Sequence, residues 1–198
     1  MSEKYSTLDR LFVAGEWREG TGDTLKNICP WDESTIFEMA CATADDVDEA
    51  CRAASDAQRE WAALPPSARA AKMLAIGDIL ESRKDEIADW IVREVGGTQV
   101  KAALELMLVT QVARQEAAAL PYMVEGAILP EDIPGKESRA YRQPAGVVAL
   151  ISPWNFPLQL TARTLFPALA LGNAVVLKPA SDTPVAGGTI FAAICEEA

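Results

Sequence analysis

Two uninterrupted apolar runs in the last third of the sequence constrain its fold more than any other feature. Val147–Ile151 is a run of five apolar residues, and residues 174–177 form a second run. Such runs are typical of parallel strands that are covered on both faces. Between them, residues 158–171 have the apolar spacing of a helix, and Gly172-Asn173 follows where a C-terminal cap is favoured. Because a further helix begins at Pro184, this order predicts a βαβα unit with a right-handed crossover.

Short strands and then helices are predicted for the earlier part of the chain. The sequence favours a small hairpin with Gly15 in its turn and a strand over Thr35–Ala40. A helix follows Thr43, whose side chain is suited to cap it. Pro65-Pro66 interrupts the chain, and Ser67 is a candidate cap for the next helix.

Apolar residues at helical spacing predict three further helices, each with one buried face. The predicted faces are, in chain order, Ala70, Met73, Leu74, Gly77 and Leu80; Ile87, Trp90, Ile91 and Val95; and Val100, Leu104, Met107, Leu108 and Val112. Gly96-Gly97 is expected to end the second of these helices, and Pro121 lies near the end of the third.

An acidic, proline-marked ribbon separates the helices from the βαβα unit. Residues 127–130 and 138–143 are two predicted extended segments on either side of the turn-forming Pro134-Gly135. Because this ribbon differs from the sequence before and after it, the chain divides into three parts. These are a helical and strand part over residues 1–126, the ribbon over residues 127–144 and the βαβα unit over residues 145–198.

The absence of histidine excludes several classes of chemistry. Without an imidazole the chain has no Ser-His-Asp or Cys-His pair, no His zinc site and no His general base. Its 29 Asp and Glu against 18 Lys and Arg, a net charge of −11, argue against binding to nucleic acid or to an anionic membrane. No apolar run approaches the ~18 residues that span a bilayer. Since the first residues also lack a signal-peptide pattern, we expect a cytoplasmic protein.

The four cysteines are Cys29, Cys41, Cys51 and Cys195, and their spacing is not that of a metal or redox motif. In a chain of 198 residues this pattern predicts reduced thiols, most of them in the core, rather than a disulfide framework. No metal site is predicted from the sequence.

Two loops follow the two predicted strands and are the candidate binding sites. They are Ser152-Pro153-Trp154-Asn155-Phe156-Pro157 and Lys178-Pro179-Ala180-Ser181. The carboxyl ends of parallel strands lie at one edge of a sheet, where open α/β sheets bind ligands. An Asn155 amide held between two prolines is suited to stabilise negative charge on an oxygen, or it satisfies loop backbone groups. Lys178 is suited to contact a ribose or a phosphate, or it is a solvated strand end. No glycine-rich phosphate motif follows either strand.

The motifs around these loops resemble those of NAD(P)-dependent aldehyde dehydrogenases. Residues 153–157 resemble the PWNFP signature of that family, and Gly172-Asn173 and residues 175–180 follow at the family's spacing. Residues 12–17 resemble its N-terminal hairpin, and the resemblance extends over about residues 11–198. It implies an α/β fold with a Rossmann-like parallel sheet, flanking helices and the first strands of an oligomerisation ribbon. It therefore implies an incomplete aldehyde dehydrogenase fold.

The resemblance implies a role for individual residues of the two loops. Asn155 is the expected oxyanion-hole amide, which stabilises the tetrahedral thiohemiacetal formed when a cysteine attacks the aldehyde. Lys178 is expected to contact the adenosine ribose. Ser181 stands where many NAD-preferring members have Glu, so both NAD and NADP are candidate cofactors. The residues that the resemblance places along the cofactor are Ile151, Ser152, Pro153 and Trp154.

The resemblance also implies a substrate and a partner. A small aldehyde is the expected substrate, and overall similarity suggests an aromatic one. Residues that contact the substrate are expected partly on the helix from Val100 onward and partly beyond residue 198. The ribbon over residues 127–144 is the expected start of an oligomerisation domain, which implies a homodimer or a homotetramer of the full-length protein.

Several parts of the family's catalytic machinery are expected beyond residue 198. They are the nucleophilic cysteine, the general-base glutamate and a Gly-x-Thr-x-x-Gly segment, and none of the chain's four cysteines lies in the nucleophile's context. Residues 196–198 lie in an amphipathic helical pattern without a cap, which fits truncation. We therefore expect the N-terminal part of an enzyme, without its catalytic domain and inactive alone. The alternative is a non-catalytic nucleotide-binding or structural module.

Overall fold

The computed structural model describes residues 7–124 and 126–198, which form a mixed α/β structure. The strands are β1 Leu11–Val13, β2 Glu16–Arg18, β3 Thr24–Ile28, β4 Thr35–Ala40, β5 Ala127–Leu129, β6 Ser138–Ala140, β7 Val147–Ile151 and β8 Ala174–Lys178. The α-helices are α1 Ala44–Ala63, α2 Pro66–Ser82, α3 Lys84–Val95, α4 Gln99–Gln111, α5 Pro157–Ala170 and α6 Ile190–Glu197. Short irregular helical segments cover Val112–Ala117, Leu120–Tyr122 and Val185–Thr189.

The predicted hairpin is confirmed, and a neighbouring strand was missed. β1 and β2 pair antiparallel around Ala14 and Gly15, whose φ angles of 54° and 83° are those of a type I′ turn. β4 has the predicted bounds, but its antiparallel partner β3 was not predicted. The sequence of β3, Thr24–Ile28, includes Lys and Asn and has few of the residues that favour strands.

The starts of α1 and α2 differ in how they are capped. The Thr43 hydroxyl accepts a hydrogen bond from the Asp46 amide, and the Asp46 carboxylate accepts one from the Thr43 amide, so the predicted cap is confirmed as a capping box. The prediction that Ser67 caps α2 is wrong. Pro65 is the N-cap residue and Pro66 is the first helical residue, so the ring, which has no N–H to satisfy, begins this helix.

The helical layer confirms two of the three predicted apolar faces. Met73 and Leu80 of α2 are buried, as are Ile87 and Ile91 of α3, although Leu74 on the predicted α2 face is exposed. These helices pack with α5 and α6 around a core that also contains two phenylalanines in edge-to-face contact, with 5.7 Å between ring centroids. Those two rings belong to Phe166 and Phe191.

The predicted face of α4 is wrong for most of its residues, although Val112 at its end is buried. Val100, Leu104 and Met107 are exposed, Val100 by 79%, whereas the buried side carries Ala102, Glu105, Leu106 and Val109. α4 has apolar residues on both sides, so periodicity alone does not identify the packed one. The side that packs against α2, α3 and α5 is the one that carries a buried carboxylate.

The βαβα unit is confirmed, but the expectation that other elements cover both faces of its strands is not. β7 and β8 pair parallel, from Val147 with Ala174 to Ile151 with Lys178, and α5 connects them. The expectation that β7 is covered on both faces is wrong, since only Leu150 is buried and Ile151 is 77% exposed. Side chains alternate along a strand, so the described helices cover one face of β7 and leave the other accessible.

The ribbon contains the two predicted extended segments, of which the second is shorter than predicted. β5 pairs antiparallel with β6, and all three residues of β5 are exposed. Within the described residues, no helix is long and apolar enough to cross a bilayer.

Candidate functional site

The two candidate loops start side by side. Ile151 and Lys178 are register partners at the ends of β7 and β8, and the Ser152 amide donates a hydrogen bond to the Lys178 carbonyl oxygen at 3.1 Å. The expectation that both loops leave the same sheet edge is therefore confirmed. This edge is the crevice position at which open α/β sheets bind ligands.

The first loop begins with an internal anchor. Ser152 is buried, and its hydroxyl donates to the Gly187 carbonyl oxygen at 3.3 Å. The Thr161 hydroxyl of α5 donates to the same oxygen at 3.0 Å. Because the Ser152 side chain is engaged inside the protein, only its backbone is available to line a binding surface.

The middle of the first loop is open to solvent. The Asn155 side chain is exposed, and its carboxamide has no hydrogen-bond partner in the part of the chain that the structure describes. The interpretation in which Asn155 satisfies loop backbone groups is therefore wrong. Pro153 is exposed and Trp154 is 59% exposed, so neither is a core residue. The arrangement leaves a free amide donor beside an apolar surface.

The end of the first loop is held by a residue that sequence reasoning missed. α5 begins at Pro157 with Phe156 as its N-cap residue, which offers no side-chain acceptor. Glu105 of α4 replaces that acceptor: one of its carboxylate oxygens accepts from the Leu158 amide at 3.1 Å and from the Gln159 amide at 3.2 Å. A lone acid inside the apolar sequence Leu-Glu-Leu-Met-Leu-Val was the signal that could have identified it.

The second loop offers a cation and a hydroxyl. Lys178 and Ser181 are exposed, and the Lys178 ammonium donates to the Pro179 carbonyl oxygen at 2.8 Å. No carboxylate pairs with Lys178 within residues 7–124 and 126–198, although the chain carries a net charge of −11. The buried Asn27 of β3, also missed by sequence reasoning, donates to the Asp182 carbonyl oxygen at 3.3 Å and tethers this loop.

A second buried glutamate caps the helical segment after the second loop. Glu94 of α3 accepts from the Val185 and Ala186 amides at 3.0 and 2.6 Å. Burial raises the pKa of Glu94 to about 8, against the opposing effect of these two hydrogen bonds. Glu94 and Glu105 thus have the same structural task on two different helices, and only Glu105 acts on the helix that follows Asn155.

None of the four cysteines lies on either candidate loop. All four are free thiols, which confirms that they form no disulfide. The expectation that most are core residues is wrong, since Cys51 is exposed and Cys29 and Cys41 are half-buried. Burial raises the pKa of Cys195 to about 12, which disfavours the reactive thiolate. Among the described residues no group of three or more His, Cys, Asp or Glu has the arrangement of a metal site.

A cleft of about 950 Å³ lies along β8 on the side of α1. Its lining is mostly apolar and includes Trp61, Val175, Leu177 and Cys195, but neither Asn155 nor Lys178. Its chemistry is that of a packing surface, and the polar groups suited to a reaction lie on the two loops instead.

Comparison with known proteins assigns a family to this arrangement. The sequence model of the aldehyde dehydrogenase family matches residues 17–198. The chain is 50% identical to vanillin dehydrogenase of Corynebacterium glutamicum over all of its own length and 41% of the relative's, and 44% identical to benzaldehyde dehydrogenase YfmT of Bacillus subtilis over 98% and 40%. The crystal structure of an NAD-dependent benzaldehyde dehydrogenase from Corynebacterium glutamicum has a TM-score of 0.92 at 48% identity, over 96% of this chain and 41% of that one.

Proposed function

This chain belongs to the aldehyde dehydrogenase family, and on that premise we propose that it is the cofactor-binding part of an enzyme that oxidises an aldehyde to a carboxylic acid with NAD or NADP. The chain spans about 41% of the length of the relatives it matches, so the activity is proposed for the complete protein. The exposed, unpartnered carboxamide of Asn155, on a loop held at both ends beside β8, is the observation that carries the proposal.

The residues around the two strand ends fit a dinucleotide. The Lys178 ammonium has no carboxylate partner in the described chain and is suited to a ribose hydroxyl or a phosphate. Pro153 and Trp154 offer exposed apolar surface, and with the backbone of Ile151 and Ser152 they form the proposed wall along the cofactor. When bound, the cofactor would supply the acceptor for the aldehyde hydride.

The choice between NAD and NADP depends on position 181 in this proposal. A carboxylate there would hydrogen-bond both ribose hydroxyls and repel a 2′-phosphate. Ser181 is uncharged and exposed, and Lys178 is close by in sequence, so neither cofactor is disfavoured by charge. Both cofactors therefore remain in the proposal, and competition between them measures the preference.

The proposed role of Asn155 follows from where charge develops. A cysteine thiolate, which the family resemblance puts beyond residue 198, would add to the carbonyl carbon, and the carbonyl electron pair would move to the oxygen. The Asn155 amide would donate a hydrogen bond to that oxyanion. After the hydride leaves, water would hydrolyse the resulting thioester, release the carboxylic acid and restore the thiol.

The substrate that we propose is an aromatic aldehyde. The relatives named vanillin dehydrogenase and benzaldehyde dehydrogenase support this class. α4 packs beside α5 and presents the exposed apolar residues Leu104 and Met107. For the complete enzyme we expect kcat/KM to be about tenfold or more higher for benzaldehyde than for hexanal. Equal values would contradict the proposed substrate class and leave the reaction type intact.

We also propose that the chain divides into three parts, over residues 1–126, 127–144 and 145–198. The middle part, the ribbon over residues 127–144, takes part in oligomerisation. The exposed Ile128 and Leu129 on β5 support this, because a solvated two-stranded ribbon gains little from apolar side chains without a partner.

The isolated chain is expected to be inactive, since its cysteines are not on the candidate loops and the most buried one is held as a thiol. The test is a single-turnover assay of the purified 198-residue chain with benzaldehyde and each cofactor. Reduced cofactor above background would overturn this part of the proposal. The proposed function is supported if the complete enzyme oxidises the aldehyde and the Asn155→Ala enzyme retains only a small residual rate.

A further inference from the structure

We propose that Glu105, together with Lys101, is a positioning residue for Asn155 and holds the oxyanion donor in its working place. This inference rests on the proposed function for its catalytic meaning. Its structural content is independent of that function, because it concerns which contacts determine where the Asn155 loop lies.

The Asn155 loop has few internal constraints of its own. Within the described chain, the amides of Trp154, Asn155 and Phe156 donate no hydrogen bond. The Asn155 side chain is likewise unpartnered. Its position therefore depends on the two points where the loop joins ordered structure, namely Ser152 at the end of β7 and the first turn of α5.

The anchor at the first turn of α5 depends on Glu105. Helix N-termini leave backbone N–H groups without partners, and the usual remedy is a polar N-cap side chain. Phe156 cannot supply one, and Leu158 is fully buried, so water does not reach its amide. The carboxylate of Glu105, itself 0% exposed, accepts from both Leu158 and Gln159.

Lys101 connects the same carboxylate to the residue next to Asn155. Its ammonium forms an ion pair with the other oxygen of Glu105 and lies 4.3 Å from the centroid of the Phe156 ring. An ammonium over an aromatic face is attracted to it, most strongly where water is partly excluded. Lys101 and Glu105 thus make three contacts within the four residues after Asn155: with the Phe156 ring and with the Leu158 and Gln159 amides.

The hydrogen bonds of Glu105 predict how substitutions at this position affect the Asn155 loop. Glu105→Ala removes the acceptor for the Leu158 and Gln159 amides, so the first turn of α5 and the preceding loop should shift or become mobile. Glu105→Gln keeps one oxygen, which is sufficient because both amide bonds are made to a single carboxylate oxygen. Gln is therefore the conservative variant that should rescue most of the loss.

The matched control is Glu94, a buried carboxylate that caps a different helical segment with the same number of amide bonds. Glu94→Ala should lower thermal stability about as much as Glu105→Ala. It should lower kcat of the complete enzyme much less than Glu105→Ala does, because the segment that it caps reaches the Asn155 loop only indirectly, through the Gly187 carbonyl oxygen that accepts from Ser152 and Thr161.

The decisive activity experiment is a double-mutant cycle in the complete enzyme. Misplacing a catalytic group by about 1 Å can cost about 10²-fold in rate. We expect Glu105→Ala to lower kcat by about 10²-fold in the wild-type background, with KM for the cofactor little changed. In the Asn155→Ala background the same substitution should have little further effect, since its target is gone. Equal losses in both backgrounds, or an equal loss for Glu94→Ala, would overturn the proposal.

Hydrogen–deuterium exchange does not depend on activity, so it tests the positioning role of Glu105 separately from the proposed function. Hydrogen–deuterium exchange should rise in the peptide over residues 154–160 in Glu105→Ala and rise much less there in Glu94→Ala, with Glu105→Gln close to wild type. Unchanged exchange in Glu105→Ala overturns the positioning role whatever the enzyme catalyses. If Asn155→Ala leaves kcat unchanged, the proposed function fails instead. Should Glu105→Ala not fold, Lys101→Met, which removes the ion pair with Glu105 and the contact with the Phe156 ring, replaces it in both measurements, and an unchanged value in either one overturns the proposal.

Discussion

The backbone amide of Ser152 donates a 3.1 Å hydrogen bond to the carbonyl oxygen of Lys178, across the ends of two parallel strands. The parallel pairing of β7 with β8, which ends in this contact, fixes the relative start of two loops that are 26 residues apart in the sequence. One loop presents an amide and the other a cation, so a ligand that spans the edge meets both. We propose that Asn155 binds the oxyanion and that Lys178 binds a ribose or a phosphate, and both roles depend on this placement of the two loops.

Position 181 is expected to control cofactor choice. Ser181→Glu would introduce a carboxylate beside the proposed 2′-phosphate site, and like charges disfavour each other. We expect KM for NADP to rise by about tenfold or more, and KM for NAD to change less. Steady-state kinetics of the complete enzyme with both cofactors measures this, with Ser181→Gln as the uncharged control. If Glu and Gln change the two KM values alike, charge at this position does not decide the choice.

Glu94 is expected to give the protein a pH-dependent stability. Its pKa in the folded state is about 8, above the ordinary 4.5, because burial disfavours the carboxylate. The folded state therefore binds the proton more tightly than the unfolded state does. Its contribution is present at low pH and is lost as pH rises from about 4.5 to about 8, with a slope of up to about 1.4 kcal/mol per pH unit.

Glu94→Gln removes that titration and provides the comparison. Between pH 5.5 and pH 8 the melting temperature of the wild-type protein should fall relative to that of Glu94→Gln. The lowered pKa values of Asp46 and Glu49 act at lower pH and do not enter this range. A wild type that gains stability relative to the variant with rising pH would mean that the two amide bonds outweigh burial.

Much of the fold was predictable because local rules and tertiary packing agree. The Thr43 capping box, the Gly15 hairpin and the β7–α5–β8 order all follow from short-range chemistry that the structure preserves. The Asn155 loop was predictable for a different reason, since two prolines and a specific motif mark it.

The remaining features depend on contacts that are distant in sequence. Glu105 lies 53 residues from Leu158, and nothing local indicates that an acid in α4 caps α5. Its burial also explains the wrong α4 face, because apolar periodicity assigns a carboxylate to the solvent side. β7 was assigned two covered faces because a run of apolar residues does not show how many elements lie over each face.

The ribbon is expected to mediate self-association. Ile128→Asp and Leu129→Asp put charges on an apolar strand that is exposed in the isolated chain, with Ile128 65% accessible. An interface that buries them would be weakened by desolvation of each charge. We expect the complete enzyme to shift to a smaller species in light scattering coupled to size-exclusion chromatography. Arg59→Ala, at an exposed position on α1 outside the ribbon, is the control, and an unchanged mass in both Asp variants would contradict the assignment.

The most direct test of the account is the effect of Asn155→Ala on the chemical step of the complete enzyme. A primary isotope effect with benzaldehyde deuterated at the aldehyde carbon establishes that hydride transfer limits the rate. Under that condition kcat should fall by about 10²–10³-fold while cofactor affinity stays unchanged, and Gln111→Ala, another exposed amide, should leave both as they are. A kcat within about twofold of wild type would contradict the claim that this carboxamide stabilises the oxyanion.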